Sequence, residues 1–132
     1  MNAAGDLERV GDHFENLTEF ELKAGEKFSG KAETEMWDIY DTAEKALTYA
    51  LDSIRYEDVK KADVVIKKLE KQIDEQEKLY RRNHIERLNR GECDPEKGVI
   101  FVDILSNLER IGDHSHNIAY FTRDIAALSK QR

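Results

Sequence analysis

The sequence predicts an all-α protein, an antiparallel helical bundle, on three observations. Apolar residues recur every three or four positions over long stretches, which is the period of a helix buried along one side. The chain has only seven glycines and one proline, so few residues interrupt regular structure. No stretch shows the alternation of apolar and polar residues that marks a half-buried strand.

Two helices are predicted in the first part of the chain. The first covers residues 3–24 and ends near Gly25, and a turn signal follows at residues 27–30. The second covers about residues 32–55. Its apolar residues are spaced by four and three positions and form one stripe for burial against other helices: Met36, Tyr40, Ala43, Leu47, Ala50 and Ile54.

The third predicted helix begins after the N-cap candidate Asp58 and runs to about Asn89. Gly91 stands where a C-terminal glycine cap is expected. The residues of this helix that we expect to be buried form a second stripe: Val59, Ala62, Ile66, Leu69, Ile73, Gln76 and Tyr80.

The fourth predicted helix starts at Asp94 and Pro95, an N-cap followed by proline at the first helical position, and runs to about Leu128. Because the predicted turns are short, consecutive helices are expected to pack antiparallel. The stripe of the fourth helix is Phe101, Ile104, Leu108, Ile111, Ser115, Ile118, Thr122 and Ile125.

One stretch of the chain occurs twice, at residues 6–17 and again at residues 107–118, with seven of twelve positions identical. The first copy follows Met1 closely, whereas about a hundred residues precede the second copy. We therefore expect residues 1–25 to be the terminal helix of a preceding, truncated unit. Residues 30–132 are expected to form a complete three-helix unit.

Charge and composition exclude several classes of protein. The formal net charge is −7, and an acidic chain repels nucleic acid, so no nucleic-acid partner is expected. The single cysteine, Cys93, has no partner for an internal disulfide, which favours a cytoplasmic setting. No apolar run approaches the roughly 20 residues that span a bilayer. We expect the chain to be cytoplasmic. It is left open whether it is the soluble part of a membrane-embedded parent chain.

Acidic residues four positions apart share one face of a helix. Three such pairs are of interest: Glu70 with Asp74, Glu109 with Asp113, and Glu8 with Asp12. In an antiparallel hairpin, residues at one level have numbers that add to a constant total. The residue numbers of Glu70 and Asp113 add to the same total as those of Asp74 and Glu109. Half of this total falls at the predicted turn. The two pairs are therefore predicted to lie level with each other.

Carboxylates brought together in this way repel one another unless a cation compensates their charge. Oxygen ligands favour magnesium, calcium, manganese or ferric iron. Imidazole from His13, His114 or His116 would admit zinc or ferrous iron. The alternative is that the pairs are solvated surface charges, since the chain has 28 acidic residues and such spacings arise by chance.

Two further positions carry expectations about packing. Gly112 lies in the middle of a predicted helix, where glycine costs about 1 kcal/mol relative to alanine. We expect a close approach of a neighbouring helix, and room for a ligand is the alternative. His84 is expected at the surface. Cys93 is expected in a turn and has no motif partner.

The run Asn107–His114, with Asn117 and Ile118, resembles the signature of PhoU-family domains. The longer run from His84 to Phe101 is similar to one subgroup, the PhoU-like C-terminal cytoplasmic regions of bacterial sodium/phosphate symporter-type membrane proteins. The resemblance covers residues 6–20 and about 58–125.

The resemblance implies three-helix units, typically two per protein, that bind multinuclear metal clusters. Iron or zinc is the implied metal, with magnesium or manganese open. The implied ligands are Glu70, Asp74, Glu109 and Asp113, and, for the preceding unit, Glu8 and Asp12. The helix that would hold the partner motif of Glu8 and Asp12 is absent from the sequence, so we expect that site to be incomplete unless another chain supplies the missing ligands.

The resulting expectation is a metal-binding regulatory module associated with phosphate transport, without enzymatic activity. Its implied partner is the phosphate transport machinery or its membrane domain, with inorganic phosphate and a homodimer left open. The first alternative is a metal-free interaction or dimerisation bundle. The second is a di-metal carboxylate enzyme, which is disfavoured because the chain has no Glu-x-x-His motif.

Overall fold

The computed structural model describes residues 30–130, together with Gly5 and Glu8. Between residues 30 and 130 the chain forms α1 (Gly30–Tyr56), α2 (Val59–Val64), α3 (Glu70–Asn89) and α4 (Pro95–Lys130), and a π-helical turn (Val65–Leu69) joins α2 to α3. The α2 helix, the π turn and α3 make one continuous rod. This range contains no strand, and the predicted all-α class is confirmed.

The helix predicted at residues 3–24, and with it the preceding unit, lies outside the described residues except for Gly5 and Glu8, which are both helical. The division into residues 1–25 and 30–132 therefore stays a prediction.

The predicted helix boundaries are confirmed by their capping contacts. The amide of Lys61 donates to Asp58 Oδ1 at 3.1 Å, which caps the start of α2. Gly91 has φ +70°, the left-handed conformation that ends a helix. The amide of Glu96 donates to Asp94 Oδ1 at 3.3 Å at the start of α4. Local side-chain chemistry therefore sets the ends of these helices.

Contacts between the helices give their directions. The hydroxyls of Ser53 and Thr122 lie 2.9 Å apart, so the end of α1 is beside the last third of α4. Arg87 Nη2 lies 2.7 Å from Glu35 Oε1, which brings the end of α3 to the start of α1. The α1 and α4 helices thus run parallel, and the rod that contains α3 runs antiparallel to both.

The core lies along the axis between the three rods. The predicted stripe of α4 is buried except for Ile125, which is half-buried, and that of α1 is buried except for Tyr40 and Ile54, which pack at its edge. Small side chains let α1 approach closely. Its buried residues are Ala32, Met36, Ile39, Thr42, Ala43, Ala46, Leu47, Ala50 and Ser53.

The rod formed by α2, the π turn and α3 buries different residues from some of those in its predicted stripe. Val65 and Glu77 are buried, whereas Ile66 and Gln76, which we expected there, are half-buried. The buried positions of this rod recur every four residues from Val65 to Glu77, a longer period than the 3.6 residues of an α-helix. The wide π turn takes up this excess and keeps one face on the core.

The expectation of a surface position for His84 is wrong, because only 2% of its surface is exposed. Its ring packs against Phe101 with a centroid distance of 5.2 Å. Gly98 provides the space, since a Cβ there would lie 2.8 Å from His84 Cε1.

None of the helices between residues 30 and 130 is both long and apolar enough to cross a membrane.

Candidate metal centre

Three of the predicted ligands converge on one point of the surface. Glu70 and Asp74 of α3 and Asp113 of α4 each place one ligand oxygen within 4.8 Å of the others. Glu70 and Asp74 are one helical turn apart and share a face, so two of the three oxygens come from α3. The structure thus brings Glu70, Asp74 and Asp113 together across the seam between two helices.

The packing beside this cluster explains the close approach of the two helices. Ile73, next to Asp74, is fully buried, and Gly112, next to Asp113, is buried as well. A Cβ built on Gly112 would lie 2.9 Å from Ile73 Cδ1. The close helix approach predicted at Gly112 is confirmed, and it lies directly beneath the carboxylates.

Glu109 occupies a different level from the one we predicted. Its carboxyl shares a hydrogen bond with Glu77, and Asp113 rather than Glu109 groups closely with Asp74. The pairing of Ile73 with Gly112 and of Glu77 with Glu109 shows that α4 is displaced along α3 relative to the predicted register. Asp74 nevertheless acts electrostatically on Glu109, so Glu109 adjoins the group.

Glu77 is a member of this seam that the sequence analysis missed. Only 6% of its surface is exposed, and Arg81 Nε donates to its Oε1 at 2.5 Å. The available signal was spacing, because Glu77 follows Glu70 and Asp74 at the next step on the same helix face. The sequence analysis assigned this level of the stripe to the neighbouring residue, Gln76.

The pKa values of these carboxyls are raised. Burial, followed by the charge of Glu77 and a hydrogen bond with it, raises the pKa of Glu109 to about 7. Burial, followed by the charge of Asp74, raises the pKa of Glu70. The pKa of Asp113 is raised by the same two causes. The site therefore disfavours full ionisation, and a cation placed among the oxygens would relieve the repulsion.

Imidazole lies near the carboxylates but outside their group. Burial lowers the pKa of His116, while the charges of Asp113 and Asp74 act in the opposite direction. The ring of His116 packs edge-on against Tyr120 at a centroid distance of 4.7 Å. Charge on His114 also acts to lower the pKa of Asp113. His13 lies outside the described residues.

The donor set fits a hard metal cation. Two oxygens that bind one ion at about 2.0–2.6 Å lie at most about 5 Å apart, and the three carboxylates satisfy this limit. Carboxylate ligands suit magnesium, calcium, manganese or ferric iron. Asp113 is exposed, so one side of the group is open to water or to a further ligand.

The predicted site of the preceding unit stays a prediction. Glu8 is helical and exposed, and it does not belong to the group formed by Glu70, Asp74 and Asp113. Asp12 lies outside the described residues.

Comparison with known proteins decides the family. The model of the PhoU domain family matches residues 37–122, which include all four acidic residues predicted on α3 and α4. This chain belongs to the PhoU family. The three-helix unit between residues 30 and 130 is therefore a PhoU domain, and its carboxylate seam lies within the matched range.

A curated relative supports the same family. The phosphate-specific transport system accessory protein PhoU homolog 1 of Thermotoga maritima is 34% identical over 121 residues. The match covers 89% of this chain but 51% of the relative, so the chain spans about half the length of that protein. No solved structure matches this PhoU chain.

Proposed function

We propose that this PhoU domain is a metal-binding regulatory module of a phosphate transport system. The observation that carries the proposal is a group of three carboxylates from two helices, Glu70, Asp74 and Asp113. Their ligand oxygens lie within 4.8 Å of one another. A metal held there would cross-link α3 to α4 and fix the surface of the seam. Glu109 adjoins the group and would serve a second ion or a larger cluster.

The phosphate-transport part of the proposal is supported by the family and by the name of the Thermotoga relative. The run from His84 to Phe101 supports the narrower proposal of a sodium/phosphate symporter-type parent chain. In that arrangement the partner is the membrane domain of the transporter. We propose a regulatory rather than a catalytic role, since the sequence lacks the Glu-x-x-His motif of di-metal carboxylate enzymes.

Elemental analysis of the purified chain tests the metal centre. The comparison uses the unsubstituted protein, Asp113→Asn, and Asp124→Asn as a control that removes an exposed acidic group elsewhere on α4. We expect stoichiometric metal in the protein and the control, and loss of metal in Asp113→Asn. Equal metal in all three samples would refute the site, as would absence of metal after incubation with iron, zinc, manganese and magnesium.

A further inference from the structure

An apolar groove opens on the same seam, near the hairpin between α3 and α4. Its lining includes Ile85 and Leu88 of α3 and Val99 and Val102 of α4, with His84 among them. Three of these apolar side chains are well exposed: Ile85 by 51%, Leu88 by 38% and Val99 by 64%. Apolar side chains exposed together in a concave surface are typical of an interaction site.

The groove is continuous with the carboxylates. Arg81 lines the groove and also pairs with Glu77, which shares a hydrogen bond with Glu109. The seam continues from there to Asp74 and its neighbours. The distance along α3 from Leu88 to Asp74 is about 21 Å at 1.5 Å per residue. One face of the hairpin therefore presents an apolar half followed by an acidic half.

We infer that this seam docks a basic amphipathic helix of a partner protein, and that a metal ion and the docked helix compete for the same carboxylates. The apolar side chains of the helix fill the groove, and its lysine or arginine residues lie over Asp74 and Asp113. The competition rests on the proposed metal-binding function. The docking itself rests on the groove and on the charge of the seam.

Charge complementarity selects this partner. At the groove end of the seam, Arg81 pairs with Glu77. The seam holds five carboxyl groups: Glu70, Asp74, Glu77, Glu109 and Asp113. Their mutual repulsion disfavours an acidic helix or an anionic lipid surface and favours ammonium or guanidinium groups. A groove between two packed helices accepts a third helix, as in other helix-in-groove complexes.

Competition follows from the same geometry. A multivalent cation held by Glu70, Asp74 and Asp113 neutralises the charge that attracts the lysines, and it occupies the oxygens they would contact. Each ligand therefore weakens the other by the same factor. In this arrangement, metal binding releases the partner helix.

The test uses the full chain in chelator and a fluorescein-labelled synthetic peptide of 18 residues. The peptide has leucines at positions 1, 4, 5 and 8 and lysines in its second half. Two substitutions probe the seam, Val99→Asp in the groove and Asp113→Asn in the carboxylates. The matched controls Leu51→Asp and Asp124→Asn change exposed residues elsewhere. We expect each seam substitution to weaken binding measured by anisotropy at least tenfold, and each control to leave it unchanged.

The two proposals fail separately. Docking is overturned if the peptide binds Val99→Asp as well as it binds the unsubstituted chain, or if a peptide with glutamate in place of lysine binds equally. Ile85→Lys provides a second groove variant, and circular dichroism checks that all variants fold. Competition is overturned if saturating metal leaves the peptide bound. If the chain binds the peptide at the seam but binds no metal, the docking proposal stands and the proposed metal-binding function fails.

Discussion

Ile73 of α3 and Gly112 of α4 pack closely against each other, since a Cβ on Gly112 would lie 2.9 Å from Ile73 Cδ1 and 3.3 Å from its Cγ2. Each of the two residues immediately precedes a carboxylate of the candidate metal centre, Asp74 or Asp113. The core contact and the surface cluster are therefore two consequences of one helix register.

Gly112→Ala should destabilise the chain even though alanine favours helix. The added methyl meets the fully buried Ile73, and overpacking of this kind outweighs the gain in propensity, so we expect a net loss of about 1 kcal/mol. Denaturation in urea gives the value. Gly30→Ala is the matched control, because nothing lies within 4 Å of its Cβ position.

Shortening Ile73 by one methyl group should partly rescue Gly112→Ala. Ile73→Val deletes Cδ1, the nearest atom, so the double variant should be less destabilised than the sum of the two single variants. Strictly additive losses would contradict the close contact.

Asp113→Asn should have opposite effects with and without metal. Burial and the charge of Asp74 raise the pKa of Asp113, so its ionised form is disfavoured in the metal-free fold. The neutral amide should therefore raise the melting temperature in chelator. With saturating metal the order should reverse, because a ligand that binds the native state stabilises it. Thermal melts in both conditions, with Asp124→Asn as control, give the comparison, and the same order in both would contradict the metal site.

Glu109 should make the metal-free chain less stable as pH rises. Its pKa is raised from 4.5 to about 7, so the folded state binds the proton more tightly than the unfolded state. Its contribution is present below pH 4.5 and is lost as pH rises through about 7. Allowing for solvent screening, we expect the free energy of unfolding to fall by about 1 kcal/mol over this pH range.

The contribution of Glu109 is obtained as a difference between proteins. His84 has the opposite effect, since burial lowers its pKa and its contribution is lost as pH falls below 6.5. Unfolding free energies from pH 4 to 8 in chelator should therefore be compared between the chain and Glu109→Gln. Glu86→Gln, an exposed acid on α3, is the control. A pH profile for Glu109→Gln that parallels that of the unsubstituted chain would contradict the shift.

Helix ends and most of the core were predictable because they depend on local chemistry. Asp58, Gly91 and Asp94 act through backbone contacts within a few residues, and such contacts are visible in the sequence. The stripes of α1 and α4 follow the ordinary helical period. The convergence of Glu70 with Asp113 followed from an antiparallel hairpin with a short turn.

The remaining features depend on non-local packing. The π turn has no composition signal, because Val65–Leu69 consists of ordinary helix residues, and the pattern did not distinguish the buried Glu77 from its neighbour Gln76. Glu109 lies at the level of Glu77 rather than that of Asp74, because the packing of α3 against α4 sets a register that the position of the turn does not define. His84 is buried because Gly98 on another helix leaves room for its ring, which no spacing rule contains.

The ion pair between Glu35 and Arg87 should be the most sensitive charged contact in the bundle. Arg87 Nη2 lies 2.7 Å from Glu35 Oε1, and the side chains are 9% and 12% exposed, for Arg87 and Glu35 respectively. Asn83 Nδ2 also donates to Glu35 Oε2 at 2.7 Å. Arg87→Met would leave the carboxylate of Glu35 buried without its cation, which costs about 3–5 kcal/mol.

Urea denaturation should show that replacing both partners costs less than replacing one. The double variant Glu35→Leu with Arg87→Met removes both buried charges, so its loss should be smaller than that of Arg87→Met alone. Lys61→Met is the matched control, because it breaks a partly exposed ion pair with Asp52 at 3.0 Å and should have little effect. If Arg87→Met were no more damaging than Lys61→Met, the charges of Glu35 and Arg87 would have to be solvated in the folded chain.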